Sequence, residues 1–213
     1  MTANKVVPSP KSVISDLSTT VNIALFLTAF FLLRYIPLPT SSETLAWLFV
    51  AQAEPSPAWV LAILLHENVY HLLANLGQLL YFGIVPERRL STIEYLFFLF
   101  VTGILTVLVQ VAQYNLNGVS GGIAGASGAT MAVMGFTVAN IGLYYLGHTD
   151  DAGVSNFRVT LFGVGAFWAI TQTISDFYPG WTLAPGASGV AHLAGFLVGA
   201  GYAVLKTSQK YSI

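Results

Sequence analysis

The polar residues able to do chemistry fall in three short clusters, each at the start of an apolar stretch. The first is His66-Glu67-Asn68-Val69-Tyr70-His71, with Asn75 four residues further on. The second is Gly125-Ala126-Ser127-Gly128, and the third runs from Gly186 through Ser188, Gly189 and Ala191 to His192. A serine hydroxyl is a weak nucleophile until a base takes its proton. Histidine is the usual base near neutral pH. His192 with a serine is therefore a candidate nucleophile–base pair. Ser127 lies between glycines at an expected helix start, where backbone N–H groups are unpaired and point outward, as an oxyanion site requires. Taken alone, such a Gly-x-Ser-Gly also serves as a close helix contact. The duplicated Gly-Ala-Ser-Gly keeps Ser188 as the alternative nucleophile. Four residues before His192 on one helix, however, its hydroxyl tends to bond back to its own backbone, so Ser127 is preferred. His71 and Asn75 share a helix face by their four-residue spacing, a pattern that also suits capping or cross-linking helices. His66 belongs to the loop before that helix, with Asn68 as a candidate N-cap.

His66 and His71 lack acid or thiol neighbours at zinc spacing, so no metal site is expected. No cofactor is expected either. The chain has no cysteine, which removes cysteine catalysis and iron–sulfur ligation.

Only 8% of the 213 residues are charged and 55% are hydrophobic, whereas soluble domains carry about 25% charged residues. With a mean hydropathy of +0.71, the solvent for most of this surface is lipid. A net charge of −1 argues against nucleic acid as a partner, which needs a concentrated basic face. Six segments approach the roughly 20 apolar residues that a membrane helix needs: 18–37, 68–86, 91–113, 126–146, 157–177 and 187–206. The first has no small-residue cleavage signal before Arg34 and reads as a retained helix. Pro37 and Pro39, Pro86 to Arg89, Asn115 to Gly122, His148 to Asn156, and Pro179 to Gly186 mark the turns between them. The intervening stretch 38–65 holds two apolar pieces with tryptophan, read as interfacial segments; one poorly formed extra span is the alternative.

The expected class is thus all-α, a polytopic membrane protein of six transmembrane helices. A polar segment 1–17 precedes the membrane domain 18–206, and a tail 207–213 follows it. Placing both termini in the cytoplasm puts seven of the eight basic residues inside, all but Arg34. The three clusters then share one depth near the outer face, and polar groups held within a membrane are costly and usually functional. Two stripes of small residues, Gly128, Ala132, Gly135, Ala139, Gly142 and Ala187, Ala191, Gly195, Gly199, Ala203, predict that the fourth and sixth helices pack backbone to backbone. That contact would bring His192 to Ser127.

Together these residues resemble the rhomboid family of intramembrane serine proteases. The family's order is a histidine, a second five residues on, an asparagine four after that, then Gly-x-Ser-Gly, then Ala-His-x-x-Gly. Here these are His66, His71 and Asn75, Gly125 to Gly128, and Ala191, His192 and Gly195. The likeness spans about residues 58–206, and Pro86 to Leu90 resembles the family's basic turn. It implies a six-helix rhomboid-like bundle. Ser127 is then the nucleophile and His192 the general base and acid, a dyad without an aspartate. The oxyanion falls to the Ser127 N–H, His71 and Asn75, with His66, Gly125 and Gly128 in support.

Two positions depart from the family. Met131 stands where many members stack an aromatic ring on the histidine, and can pack there softly. Trp59 lacks the arginine neighbour that many bacterial members have. The implied reaction is hydrolysis of a peptide bond in transmembrane proteins, in a prokaryotic cell membrane, with the site toward the outer face. Access would lie beside the fifth helix, under a cap formed by loop 178–186. The oligomeric state is open. The rival readings are a catalytically inactive relative that binds membrane clients, and a small transporter, for which internal repeats and buried charges are expected.

Overall fold

The computed structural model describes residues 18–33, 35–36, 40–118, 120–147, 156–177 and 189–210. The segment 1–17, the turns at Pro37 and Pro39 and at 148–155, the cap loop with Ser188 and the last residues of the tail lie outside the described residues. Nine α-helices are described: α1 (Ser18–Leu33), α2 (Ser42–Phe49), α3 (Ala58–Leu61), α4 (Val69–Phe82), α5 (Ile84–Arg89), α6 (Thr92–Asn117), α7 (Ser127–Gly147), α8 (Asn156–Phe177) and α9 (Gly189–Lys210). A 3-10 turn, Ala62–Leu64, continues α3. The six apolar segments correspond to α1, α4, α6, α7, α8 and α9, and the two interfacial pieces to α2 and α3, each too short to cross a bilayer.

Length and hydropathy alone qualify Thr92–Asn117 and Gly189–Thr207 as membrane-crossing among the described residues, with Ser18–Leu33 a shorter apolar helix. Large apolar side chains face outward on several helices, including Phe26, Phe97 and Phe167, a surface that water solvates poorly and lipid covers.

Local chemistry sets the ends of these helices. Asn68 takes extended backbone angles and its Oδ1 accepts the His71 N–H at 2.9 Å, which starts α4. Ser91 does the same for the Glu94 N–H at 3.3 Å at the start of α6. Helix α1 is capped from a distance: the Glu87 carboxylate accepts the N–H groups of Thr19 at 2.6 Å and Thr20 at 2.9 Å, placing a negative charge on the positive end of the helix.

Three boundaries differ from the hydropathy reading. Helix α4 ends at Phe82 and α5 begins at Ile84, with Gly83 between them, where a side chain would meet Thr20 Cγ2 and Tyr95 Oη at 2.8 Å; α1 and α6 close on that point. The expected turn at Pro86 to Arg89 is helical, since Pro86 sits in the first turn of α5, where no intrahelical donor is needed. Helix α6 runs four residues past its expected end, until Gly118 takes a left-handed φ of 62°.

Helix α7 is the hub, in contact with α4, α5, α6, α8 and α9. Its Ala132, Val133, Met134 and Phe136 are fully buried. Its contact with α9 is backbone on backbone. A Cβ on Gly195 would run into the Gly128 carbonyl, one on Gly199 into the Ala132 carbonyl, and one on Gly135 into the Phe196 carbonyl. The predicted small-residue packing is present at these positions, whereas Gly142 faces the Phe162 ring of α8 at 3.5 Å and Ala187 lies outside the described residues. At the far end from Ser127, the Glu94 carboxylate accepts the Tyr202 hydroxyl and pairs with Lys206, tying α6 to α9.

Candidate active site

Ser127 is the first residue of α7 and is partly exposed, while its neighbours Ala126 and Gly128 are buried. As a first-turn residue its backbone N–H has no place in the helical ladder. The small residues that clamp α7 to α9 also set the register of the two helices. Gly195 lies on Gly128 and Gly199 on Ala132, pairs 67 residues apart; Gly195 also meets Met131, 64 residues away, and Gly135 lies on Phe196, 61 residues away. The helices run parallel and these contacts bracket the level of His192 between positions 125 and 131 of the facing segment, a span that includes Ser127. His192 is buried, at 6% exposure.

His71 approaches the same level from α4. A Cβ built on Gly125 would fall 2.6 Å from His71 Cε1 and 2.8 Å from Nε2, so the imidazole fills the space that a side chain at 125 would need. Gly125 also has a φ of 116°, outside the range of ordinary L-residues. His192 lies near enough for its charge to act on the His71 ring. His66 is fully buried, with its ring 5.3 Å from that of His71 and tilted by 66°. Burial, with the nearby His71 as a lesser cause, lowers its pKa from 6.5 to about 4 against the pull of a hydrogen bond with the Leu64 backbone. His66 is therefore neutral at physiological pH, a packed and hydrogen-bonded support for His71.

Asn75 is 2% exposed. Its Nδ2 donates to the His71 carbonyl of its own helix at 3.1 Å, and its Oδ1 lies 3.2 Å from the Thr130 hydroxyl on α7. Met131 is 1% exposed, and its Cβ lies 3.3 Å from where a Cβ on Gly195 would be, one turn along α9 from His192. It thus packs beside the segment that carries the imidazole.

The stretch before α4, which the sequence marks only as interfacial, braces the loop before Ser127. Ala51 and Ile123 exchange two backbone hydrogen bonds of 2.9 Å, and the Gly125 N–H donates to the Ala62 carbonyl at 2.8 Å. Gln110 of α6 supports α9 in a similar way. Its Oε1 accepts the Ala191 N–H at 3.2 Å, one residue before His192, and its Nε2 donates to Gln113 Oε1 at 2.8 Å. Gln110, Gln78 and Thr130 were not singled out from the sequence. The available signal was an amide or hydroxyl inside an otherwise apolar helix. Ser188 lies outside the described residues, so its claim is left to experiment. Among the described residues no group of three histidine or acidic side chains is placed to hold a metal.

The family model for the Rhomboid domain matches residues 56–209. The chain belongs to the rhomboid family. The rhomboid match takes in all three polar clusters, from His66 to His192, and every helix from α3 to α8 with nearly all of α9. No curated protein matches the chain.

Proposed function

We propose that this rhomboid is an intramembrane serine endopeptidase that hydrolyses a peptide bond in or near the membrane segment of other membrane proteins. The observation that carries the proposal is the close α7–α9 contact, which brings His192 to the level of the segment 125–131 that holds Ser127, while the His71 ring abuts Gly125. In the proposed reaction Ser127 Oγ attacks the scissile carbonyl as His192 accepts its proton. The tetrahedral oxyanion is met by the Ser127 N–H, His71 and Asn75, donors fixed in place before the charge develops. His192 then protonates the leaving amine, and water, activated by the same imidazole, hydrolyses the acyl-enzyme. The substrate helix unwinds locally to present its carbonyl, since intact helical hydrogen bonds protect it. The six-span bundle, the cytoplasmic termini, the outward-facing site and access beside α8 belong to this proposal. The partners are transmembrane protein substrates and the bilayer.

The test is labelling with a fluorophosphonate and cleavage of a model transmembrane substrate by wild type, Ser127→Ala, Ser188→Ala and His192→Ala. Labelling and cleavage should vanish with Ser127→Ala and survive Ser188→Ala. Loss with Ser188→Ala alone would move the nucleophile. Equal labelling of wild type and Ser127→Ala would refute the dyad and favour a client-binding, inactive member of the family.

A further inference from the structure

Thr130 stands where α4 and α7 meet, one turn after Ser127, and is 1% exposed. Three carbonyl-type oxygens surround its hydroxyl: Gln78 Oε1 at 2.8 Å, the Ser127 carbonyl at 3.0 Å and Asn75 Oδ1 at 3.2 Å. A hydroxyl has one proton and cannot serve three acceptors at full strength. Turning the Gln78 carboxamide end for end eases the conflict, leaving two acceptors in place of three. The two ends of an amide have the same shape, and the hydrogen-bond partner decides which faces it. Gln78 Nε2 then donates to Thr130 Oγ1, and the Thr130 proton is shared between Asn75 Oδ1 and the Ser127 carbonyl. This leaves a directed chain, Gln78 to Thr130 to Asn75.

The chain has a consequence for Asn75. Its Oδ1 is pinned by Thr130, and one Nδ2 hydrogen is committed to the His71 carbonyl 3.1 Å away. Only the second Nδ2 hydrogen is left to meet a developing oxyanion, and the amide can no longer present its oxygen there. We infer that Thr130, oriented by Gln78, is a positioning residue that fixes the Asn75 carboxamide with its N–H toward the oxyanion. The inference rests on the proteolytic reading above and adds two residues to it. Thr130 touches no reacting atom and acts through Asn75.

The experiment measures kcat and KM for a model transmembrane substrate, the rate of fluorophosphonate labelling and the thermal midpoint. The variants are Thr130→Val, Thr130→Ser, Gln78→Met, Asn75→Ala, the double variant of Asn75→Ala with Thr130→Val, and Ser127→Ala. Removing an oxyanion donor outright costs about 10²–10³ in kcat, so disorienting one should cost less. Thr130→Val and Gln78→Met should each lower kcat and the labelling rate roughly tenfold, with KM and the thermal midpoint near wild type. Thr130→Ser, which keeps the hydroxyl, should restore kcat. In the Asn75→Ala background Thr130→Val should have no further effect, because the group it positions is gone. Wild-type kcat in Thr130→Val and Gln78→Met, with turnover abolished in Ser127→Ala, would overturn this inference alone. So would losses that multiply in the double variant. Turnover persisting in Ser127→Ala would overturn the proteolytic reading and this inference with it. Since Gln78 is only half-buried, its variant keeps the test open if Thr130→Val fails to fold.

Discussion

Adding one methyl group at Gly199 should separate the two helices that define the site. A Cβ there would fall 2.6 Å from the Ala132 carbonyl carbon, 2.8 Å from its Cα and nearer still to its oxygen. All three are backbone atoms of a buried helix, and no rotamer change relieves the contact, so α9 must move off α7 by about 1 Å. Overpacking of this kind costs about 1–3 kcal/mol, against a helix-propensity gain of about 1 kcal/mol for alanine over glycine. Gly201 on the same helix is the control, because a Cβ there meets nothing within 4 Å. Gly201→Ala should therefore show the propensity gain alone. The two variants should differ by about 1–3 kcal/mol, or roughly 2–12 °C in thermal midpoint for a chain of this size. Turnover should separate them further. A misplacement of about 1 Å can cost on the order of 100-fold, so Gly199→Ala should cleave a transmembrane substrate 10- to 100-fold more slowly while Gly201→Ala keeps wild-type activity. If Gly199→Ala matches Gly201→Ala in both melting and turnover, the close α7–α9 contact and the register argued from it are wrong.

Two further outcomes follow from the neighbourhood of His71. Gly125→Ala places a side chain at a φ of 116° and within 2.6 Å of the His71 ring. Backbone strain of about 1–3 kcal/mol is added to displacement of the ring, so labelling and cleavage should fall at least 100-fold, and near-normal labelling would show that His71 is not needed at that spot. His66 has its folded pKa lowered from 6.5 to about 4. Its contribution to stability is therefore full above about pH 6.5 and is lost as pH falls toward 4, by at most about 3 kcal/mol. Thermal denaturation between pH 7 and 4 should show this slope in wild type and a flatter one in His66→Gln; equal slopes would remove His66 as its cause.

Much of this arrangement was legible in the sequence because polar residues in an apolar chain carry their own signal. His66, His71, Asn75, Ser127 and His192 stand out against lipid-compatible neighbours, and the glycines at 128, 135, 195 and 199 announce a close contact before any coordinates. The faces of the helices were not legible. In a soluble helix polarity marks the outer side, but here both sides are apolar: Ala24 and Leu27 are buried, while Leu25 and Phe26 between them are exposed. The Glu87 cap on α1 was hidden for another reason. Its partners Thr19 and Thr20 are far away in sequence, and nothing in a turn-like Pro-Glu-Arg-Arg says that its carboxylate reaches another helix. Thr130 and Gln78 are separated by 52 residues, and each reads singly as a tolerated polar residue. Their meaning is in the pairing.

The glycine contacts between α7 and α9 also bear on how the molecule breathes. Where main chain lies on main chain, there are no side-chain hops to absorb a fluctuation, so the two helices should drift together as one stiff body. The tight contact made by α8 at Gly165 is instead with side chains, Val138 and the Phe82 ring, which can swing aside in nanoseconds. Amide hydrogens of α9 should then exchange with solvent more slowly than those of α8. Any widening that admits a guest helix is expected to come from the looser partner, leaving the serine-bearing and histidine-bearing rods in step throughout.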